Sequence, residues 1–220
     1  MKLLEQLVVF ICPDHNEKYR KRRVYMEALL SSLGFKQVVH YKSGTERYPE
    51  CLVTATIDIL ETYLSRPFLL LEDDIEYTGM SLDIEIEDDA DAVYLGLSKY
   101  GGHLTENQNV YPLSYEAHSD TQVRVLNMIS GHAAFYNSPA YKLGVINALL
   151  SKPRPGYFND VLISRIQPHY KVLALKRPLF FQSNLFNSAE VFDVEASTRI
   201  ELNIEEGVHT MYRFPPYEKK

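Results

Sequence analysis

Apolar positions along this chain fall into two rhythms. Leu7-Val8-Val9-Phe10-Ile11 is an unbroken apolar run closed by Pro13, the pattern of a strand buried on both faces in a parallel sheet. From Arg20 to Leu33 apolar residues are spaced out at Val24, Leu29, Leu30 and Leu33, and Gly34 follows as a C-terminal stop; this predicts an amphipathic helix. Lys36 to Tyr41 reads as a second strand and Ser43-Gly44 as a turn. Pro49 opens a helix over Glu50 to Leu64, and Phe68 to Leu71 is a third buried strand that runs straight into Glu72-Asp73-Asp74. Strand, helix, strand, helix, strand predicts an α/β fold with a central, mostly parallel, twisted sheet flanked by helices.

The middle is less regular. Ala92 to Leu97 reads as strand, whereas Ser98 to Gln122 is polar, carries Gly101-Gly102, and reads as a loop or hairpin. A connection that long suggests a functional excursion such as a lid or an acceptor wall. Val123 to Ile129 and Ala133 to Tyr136 read as strand around Gly131-His132, and Pro139 opens a helix through Leu150. Lys152-Pro153-Arg154-Pro155-Gly156 reads as a rigid loop, Phe158 to Ile166 as a short helix, and Lys171 to Leu175 and Leu179 to Phe181 as further strand. After Phe192 periodicity weakens, as in a tail that wraps the domain or is partly mobile. No internal repeat or second boundary breaks the pattern, so 1–220 reads as one domain.

Composition narrows the class. An apolar fraction of 45% argues against disorder, and two Cys in 220 residues against a disulfide scaffold. Cys12 and Cys51 lack metal-type spacing and read as free buried thiols of a reducing compartment. The 23 basic and 29 acidic residues leave a net charge of −6, which disfavours a nucleic-acid partner. Glu5 and Gln6 interrupt the N-terminal apolar run, against a signal peptide, and no apolar stretch approaches the roughly 18 residues that span a bilayer. A cytoplasmic location is expected. The chain has 16 Tyr and 10 Phe but no Trp.

The acids are clumped, and the clumps differ. Glu85, Glu87, Asp88, Asp89 and Asp91 follow no buried strand and read as solvated surface. Glu72-Asp73-Asp74 follows one directly, at the strand end where open α/β sheets bind ligands. Three adjacent carboxylates repel unless a positive charge sits among them, and Mg²⁺ or Mn²⁺ suits one or two carboxylates plus phosphates and water. The functional reading is a metal clamping a diphosphate; the competing one is a solvated acidic turn.

In order, these segments resemble a nucleotide-sugar glycosyltransferase of the GT-A fold, in the pattern of the lipopolysaccharide-biosynthesis and collagen galactosyltransferase family. The segments that carry the resemblance are Leu7–Ile11, a helix bearing Arg20 and Arg23, Glu50–Leu64, Leu70-Leu71-Glu72-Asp73-Asp74, and Val93-Tyr94-Leu95-Gly96. Ser130-Gly131-His132-Ala133-Ala134-Phe135-Tyr136, Asp160 and Phe181-Gln182-Ser183 follow. Where the family carries Ser-His before the acidic strand, this chain has Thr54-Ala55. Small relatives of that fold occur in bacteria and in large DNA viruses, in which case the location is the host cytoplasm.

The resemblance implies a metal-dependent transfer of sugar from a nucleotide-sugar, a UDP-sugar, to a glycan or glycoprotein hydroxyl. It divides the chain into a nucleotide-sugar-binding half (1–98), an acceptor-binding half (99–188) and a tail (189–220). It also implies that Asp74, with Asp73 or Glu72, holds Mn²⁺ or Mg²⁺ on the donor diphosphate, with His209 completing the shell. Among Arg20, Lys21, Arg22 and Arg23, the choice for the donor phosphate is Arg20 and Arg23, since Arg binds phosphate bidentately. Pro13 and Asp14 would shape the nucleobase pocket, and Gly131 and His132 would approach the sugar. An inverting transfer needs a general base. Asp160, after a Pro/Gly loop and opening a helix, is the candidate; the competing reading is a plain helix N-cap. In a retaining enzyme it would instead face the donor sugar. Tyr100, Tyr111 and Tyr115 would offer stacking faces to an acceptor. Two rivals stand beside this reading. A nucleotidyltransferase or phosphohydrolase would want a glycine-rich phosphate loop or a second His/Asp cluster, and a non-catalytic sugar-binding module would have no turnover.

Overall fold

A computed structural model of the chain describes residues 1–102, 111–151, 158–187 and 193–202. The first buried run is strand β1 (Leu7–Ile11), followed by α1 (Glu17–Ser32), β2 (Gln37–Tyr41), α2 (Glu50–Thr62) and β3 (Phe68–Glu72). Then come β4 (Ile75–Tyr77), β5 (Ala92–Tyr94), β6 (Tyr100–Gly101), β7 (Tyr111–Pro112), β8 (Ser114–Ala117), β9 (Gln122–Asn127) and β10 (Ala133–Tyr136). The remaining elements are α3 (Pro139–Leu150), α4 (Asn159–Ser164), β11 (Val172–Leu175), β12 (Phe180–Gln182) and α5 (Val194–Thr198).

Eight strands form one sheet in the order β2-β1-β3-β10-β5-β11-β9-β8. Strands β2, β1, β3, β5, β11 and β8 run one way, and only β10 and β9 run against them. The mixed α/β architecture with a mostly parallel central sheet flanked by helices is therefore the one the sequence pattern predicts. Strand alternation explains the two cores. Leu7, Val9, Ile11, Phe68 and Leu70 pack with Ile59 and Leu60 of α2 and Tyr141 and Val145 of α3. Val8, Phe10, Leu69 and Leu71 pack on the other face with Met26 and Leu30 of α1.

Local chemistry sets the helix ends. The Asn16 side chain accepts from the Tyr19 amide at 3.1 Å, so α1 begins at Glu17 rather than Arg20. Gly34 beyond its end has φ +84°. Ser138 caps α3 in the same way, with Pro139 in the first turn. The C-terminus of α2 is closed from outside. The buried ammonium of Lys142, on α3, donates to the carbonyls of Tyr63 (2.9 Å), Leu64 (3.2 Å) and Arg66 (2.6 Å).

Other departures follow from tertiary pairing. The strand expected over Ala92 to Leu97 ends at Tyr94, because Leu95 and Gly96 leave the ladder and Gly96 bridges to Phe180. The polar stretch from Ser98 resolves into β6 paired with β7 and β8 paired with β9. A second small sheet, β4 against β12, holds Gln182 opposite Ile75. The acidic segment is more than solvated surface. Lys171 bridges Glu87 (2.8 Å) and Asp89 (2.7 Å), and Asp91 accepts from the Lys171 amide at 2.8 Å. The tail carries α5, capped by Asp193. The 152–156 loop and His209 lie outside the described residues. Cys12 is a buried free thiol, but Cys51 is only half-buried. No helix among the described residues is long and apolar enough to cross a membrane.

Candidate functional site

A cavity of about 670 Å³ opens at the carboxyl ends of β1 and β3, where strand ends stop pairing and loops diverge. Parallel register places Glu72 beside Ile11. Antiparallel β10 starts where β3 ends, and the Glu72 amide donates to the His132 carbonyl at 2.9 Å. Gly131 lies against the Glu72 carboxylate: a Cβ there would lie 2.9 Å from Glu72 Oε1, so any side chain would shift that carboxylate. The cavity wall takes Pro13 after β1, Lys18 and Arg22 from α1, Glu72, Asp73 and Asp74, Gly131, and Asp160 from α4.

The three acids after β3 differ in their partners. Asp73 is paired: Arg22 Nη1 donates to its Oδ1 at 3.0 Å and the Cys12 thiol to its Oδ2 at 3.1 Å. Burial still raises its pKa, against the pull of Arg22. Arg22 also donates to the Phe186 carbonyl and lies over the rings of Tyr19 and Phe186. Asp74 is held on one side only. Its Oδ2 accepts from Asn187 Nδ2 (2.8 Å) and Gln182 Nε2 (3.4 Å), while the buried Oδ1 has no hydrogen-bond partner. Glu72 is repelled by all three of the other acids. Burial, then the charges of Asp74, Asp160 and Asp73, lift its pKa well above the carboxylate range.

Asp160 opens α4 and lines the cavity. The N-cap position belongs to Phe158, so Asp160 is not the plain cap; its Oδ1 accepts from the Val161 amide at 2.8 Å. Burial pushes its pKa up to about 6. It is ionised at neutral pH and holds a proton more tightly than an ordinary Asp.

Other expected residues lie elsewhere. Arg20 is exposed and bonds the Asp14 carbonyl at 3.3 Å, and Arg23 pairs with Glu27 at 2.8 Å and with Asp14. Asp14 is drawn to Lys42 at 2.6 Å. None of these three lines the cavity; the helix turn directs Lys18 and Arg22 there instead. His132 is buried behind the wall, pressed on Gly96, where a Cβ would meet its Nε2 at 2.0 Å. Burial lowers its pKa to about 4, so the imidazole is neutral. Of the tyrosines expected at an acceptor, Tyr115 is buried in the core and Tyr100 pairs in β6; neither lines the cavity.

The residues the sequence reading missed are Arg22, Lys18, Asn187, Tyr48 and Phe158. A signal existed for the first: Arg22, Met26 and Leu30 are four apart and are the buried stripe of α1, whereas Val24 is 65% exposed.

No protein-family model matches the chain, and no curated protein matches it in sequence. Among solved structures it is similar to a nucleoside-diphosphate-sugar pyrophosphorylase from Vibrio cholerae. That match has 13% identity and a TM-score of 0.40, and covers 76% of this chain and 70% of that one. It is also similar to a glycosyltransferase involved in glycosylation of the major capsid of PBCV-1, at 12% identity, TM-score 0.45, and coverage of 76% and 81%. A UTP-bound UGPase from Acinetobacter baumannii matches at 11%, TM-score 0.42, with 76% and 64% covered. Likenesses this distant assign neither substrate nor reaction.

Proposed function

We propose that the chain is a metal-dependent glycosyltransferase that moves the sugar of a nucleotide-sugar, a UDP-sugar, to a hydroxyl of a glycan or glycoprotein, with inversion. One observation carries this reading. A single cavity has cationic Lys18 and Arg22 on its α1 wall, carboxylates Glu72, Asp74 and Asp160 on its other walls, and a buried, unpartnered oxygen on Asp74. Lys18, Arg22 and a cation on Glu72 and Asp74 suit a diphosphate and Asp160 suits the reacting hydroxyl, and we take 1–98 as the donor half and 99–188 as the acceptor half of one domain.

The residues fit a hard divalent cation of the Mg²⁺ or Mn²⁺ kind. Glu72 and Asp74 line the cavity, and the buried Asp74 Oδ1 has no hydrogen-bond partner. Among the described residues no group of three or more His, Cys, Asp or Glu is placed to hold a metal. The fit is therefore to a cation that completes its shell with phosphate and water, not to a closed protein cage. Such a cation would neutralise charge developing on the leaving diphosphate. Asp73, tied to Arg22 and Cys12, serves by fixing Arg22 at the cavity wall.

The chain's own residues do the rest. Lys18 and Arg22 attract the diphosphate. Asp160 takes the proton of the acceptor hydroxyl; with its pKa near 6 it is charged at pH 7 and a stronger base than a solvated Asp.

Calorimetry with UDP, run with Mn²⁺ and after chelation, tests the clamp: binding should depend on the metal, and equal binding without it sinks the idea. Incubation of UDP-glucose or UDP-galactose with pyrophosphate separates the nearest rival. Formation of UTP would identify a nucleotidyltransferase; slow UDP release in water is the result expected here.

A further inference from the structure

Large aromatic side chains left in water invite a cover. Tyr48, in the loop before α2, is 59% exposed, and Phe158, just before α4, is 42% exposed. They come from distant segments, yet both line the cavity, with ring centroids 6.0 Å apart and planes tilted by 50°. Both side chains are therefore partly open to solvent where they line the cavity. Glu72, Asp74 and Asp160 line the same cavity as the two rings. The cationic side chains of the cavity, Lys18 and Arg22, belong instead to α1.

Charge therefore divides the cavity. A nucleotide diphosphate belongs on the α1 wall, with the cation that Glu72 and Asp74 would hold, and the aromatic pair offers it no positive charge. A neutral polyol needs none. Its C–H face packs on an aromatic ring and its hydroxyls donate to carboxylate oxygens.

We propose that Tyr48, reaching over from the donor half, and Phe158 of the acceptor half form the acceptor subsite, an aromatic lip that grips a neutral sugar ring and presents one of its hydroxyls to Asp160. The assignment rests on the glycosyltransferase reading and names its acceptor class: the group that receives the transferred sugar is itself a sugar. The lip takes the place of Tyr100 and Tyr115 as the stacking platform; the Tyr111 side chain lies outside the described residues.

The absence of Trp from the chain makes the test clean, because Phe158→Trp places a lone indole at the lip. That protein is titrated with the methyl α- and β-D-pyranosides of glucose, galactose and N-acetylglucosamine, with and without UDP and Mn²⁺. At least one glycoside should change the indole emission saturably. Adding Tyr48→Ala should weaken that glycoside about tenfold while UDP affinity by calorimetry stays within about twofold. Both side chains are exposed, and unchanged melting of Tyr48→Ala and Phe158→Ala confirms that folding is intact. Emission indifferent to every glycoside overturns the proposal. So does a Tyr48→Ala protein that loses UDP and keeps the glycoside, which would make the lip a nucleobase platform. If the unsubstituted protein binds no UDP, the donor reading fails; the glycoside response is read separately and still reports on the lip.

Discussion

At the scale of the residue, Asp160 is a carboxylate that the fold burdens. Its pKa rises from 3.8 to about 6, so in that pH window the native state keeps a proton the unfolded chain has lost. Its contribution to stability therefore falls as pH rises through the window and stays unfavourable above it. His132 works in the opposite sense: lowered from 6.5 to about 4, it costs stability as pH falls between those values. The two oppose each other in the wild type, and the variant Asp160→Asn separates them. At pH 7.5 it should melt a few degrees higher, for a gain of about 1–2 kcal/mol once partial exposure is allowed for. At pH 4 the gain should vanish. The same variant should bind UDP normally and transfer sugar about a thousandfold more slowly; a fully active protein removes Asp160 as the base. Arg22 shows the converse logic. Arg22→Met strands the buried Asp73 charge and should destabilise by about 3–5 kcal/mol, and adding Asp73→Asn should restore part of the loss. Denaturant unfolding of both proteins checks this; no recovery in the double variant would mean that Arg22 acts through Phe186 and its ring contacts alone.

At the scale of the element, legibility depended on length and burial. The runs Leu7–Ile11 and Phe68–Leu71 were readable because burial on both faces leaves no polar position, and Pro139–Leu150 because Ser138 and Pro139 mark its start. The phase of α1 was not. Val24 fits the apolar spacing, yet the helix turns Arg22 inward, since an arginine with a buried acid to meet can occupy a core-facing position. Three-residue strands such as β4 and β12 have no periodicity to read, and they bring Gln182 to Asp74. Nor does a single lysine announce that it will close another helix. Lys142→Met keeps the volume but leaves three carbonyls of the α2 terminus without their donor. It should destabilise by about 2 kcal/mol or more, measured by denaturant midpoint; an unchanged midpoint would mean that water replaces the ammonium.

At the scale of the molecule, the site exists because one strand runs backwards. Had β10 been parallel to β3, Gly131 would lie at the far end of the sheet; reversed, it makes room for Glu72. Strand order is not written in local pattern, so the acidic triplet was visible and its surroundings were not. The surplus of −6 divides accordingly. Glu87 and Asp89 are answered by Lys171, and Asp73 by Arg22, whereas Glu72, Asp74 and Asp160 line one cavity and repel one another. That unanswered charge predicts a specific response to cations. Chelated protein given Mn²⁺ at about a hundred times its dissociation constant should gain about 2.7 kcal/mol of stability, seen as a rise in melting temperature. Asp74→Asn should lose most of that rise without weakening the metal-free protein, because an unpartnered buried charge has been removed. Asp73→Asn should keep the rise, since the Asp73 carboxylate is already bound by Arg22 and Cys12. An equal rise in all three proteins would move the cation away from the acidic triplet altogether.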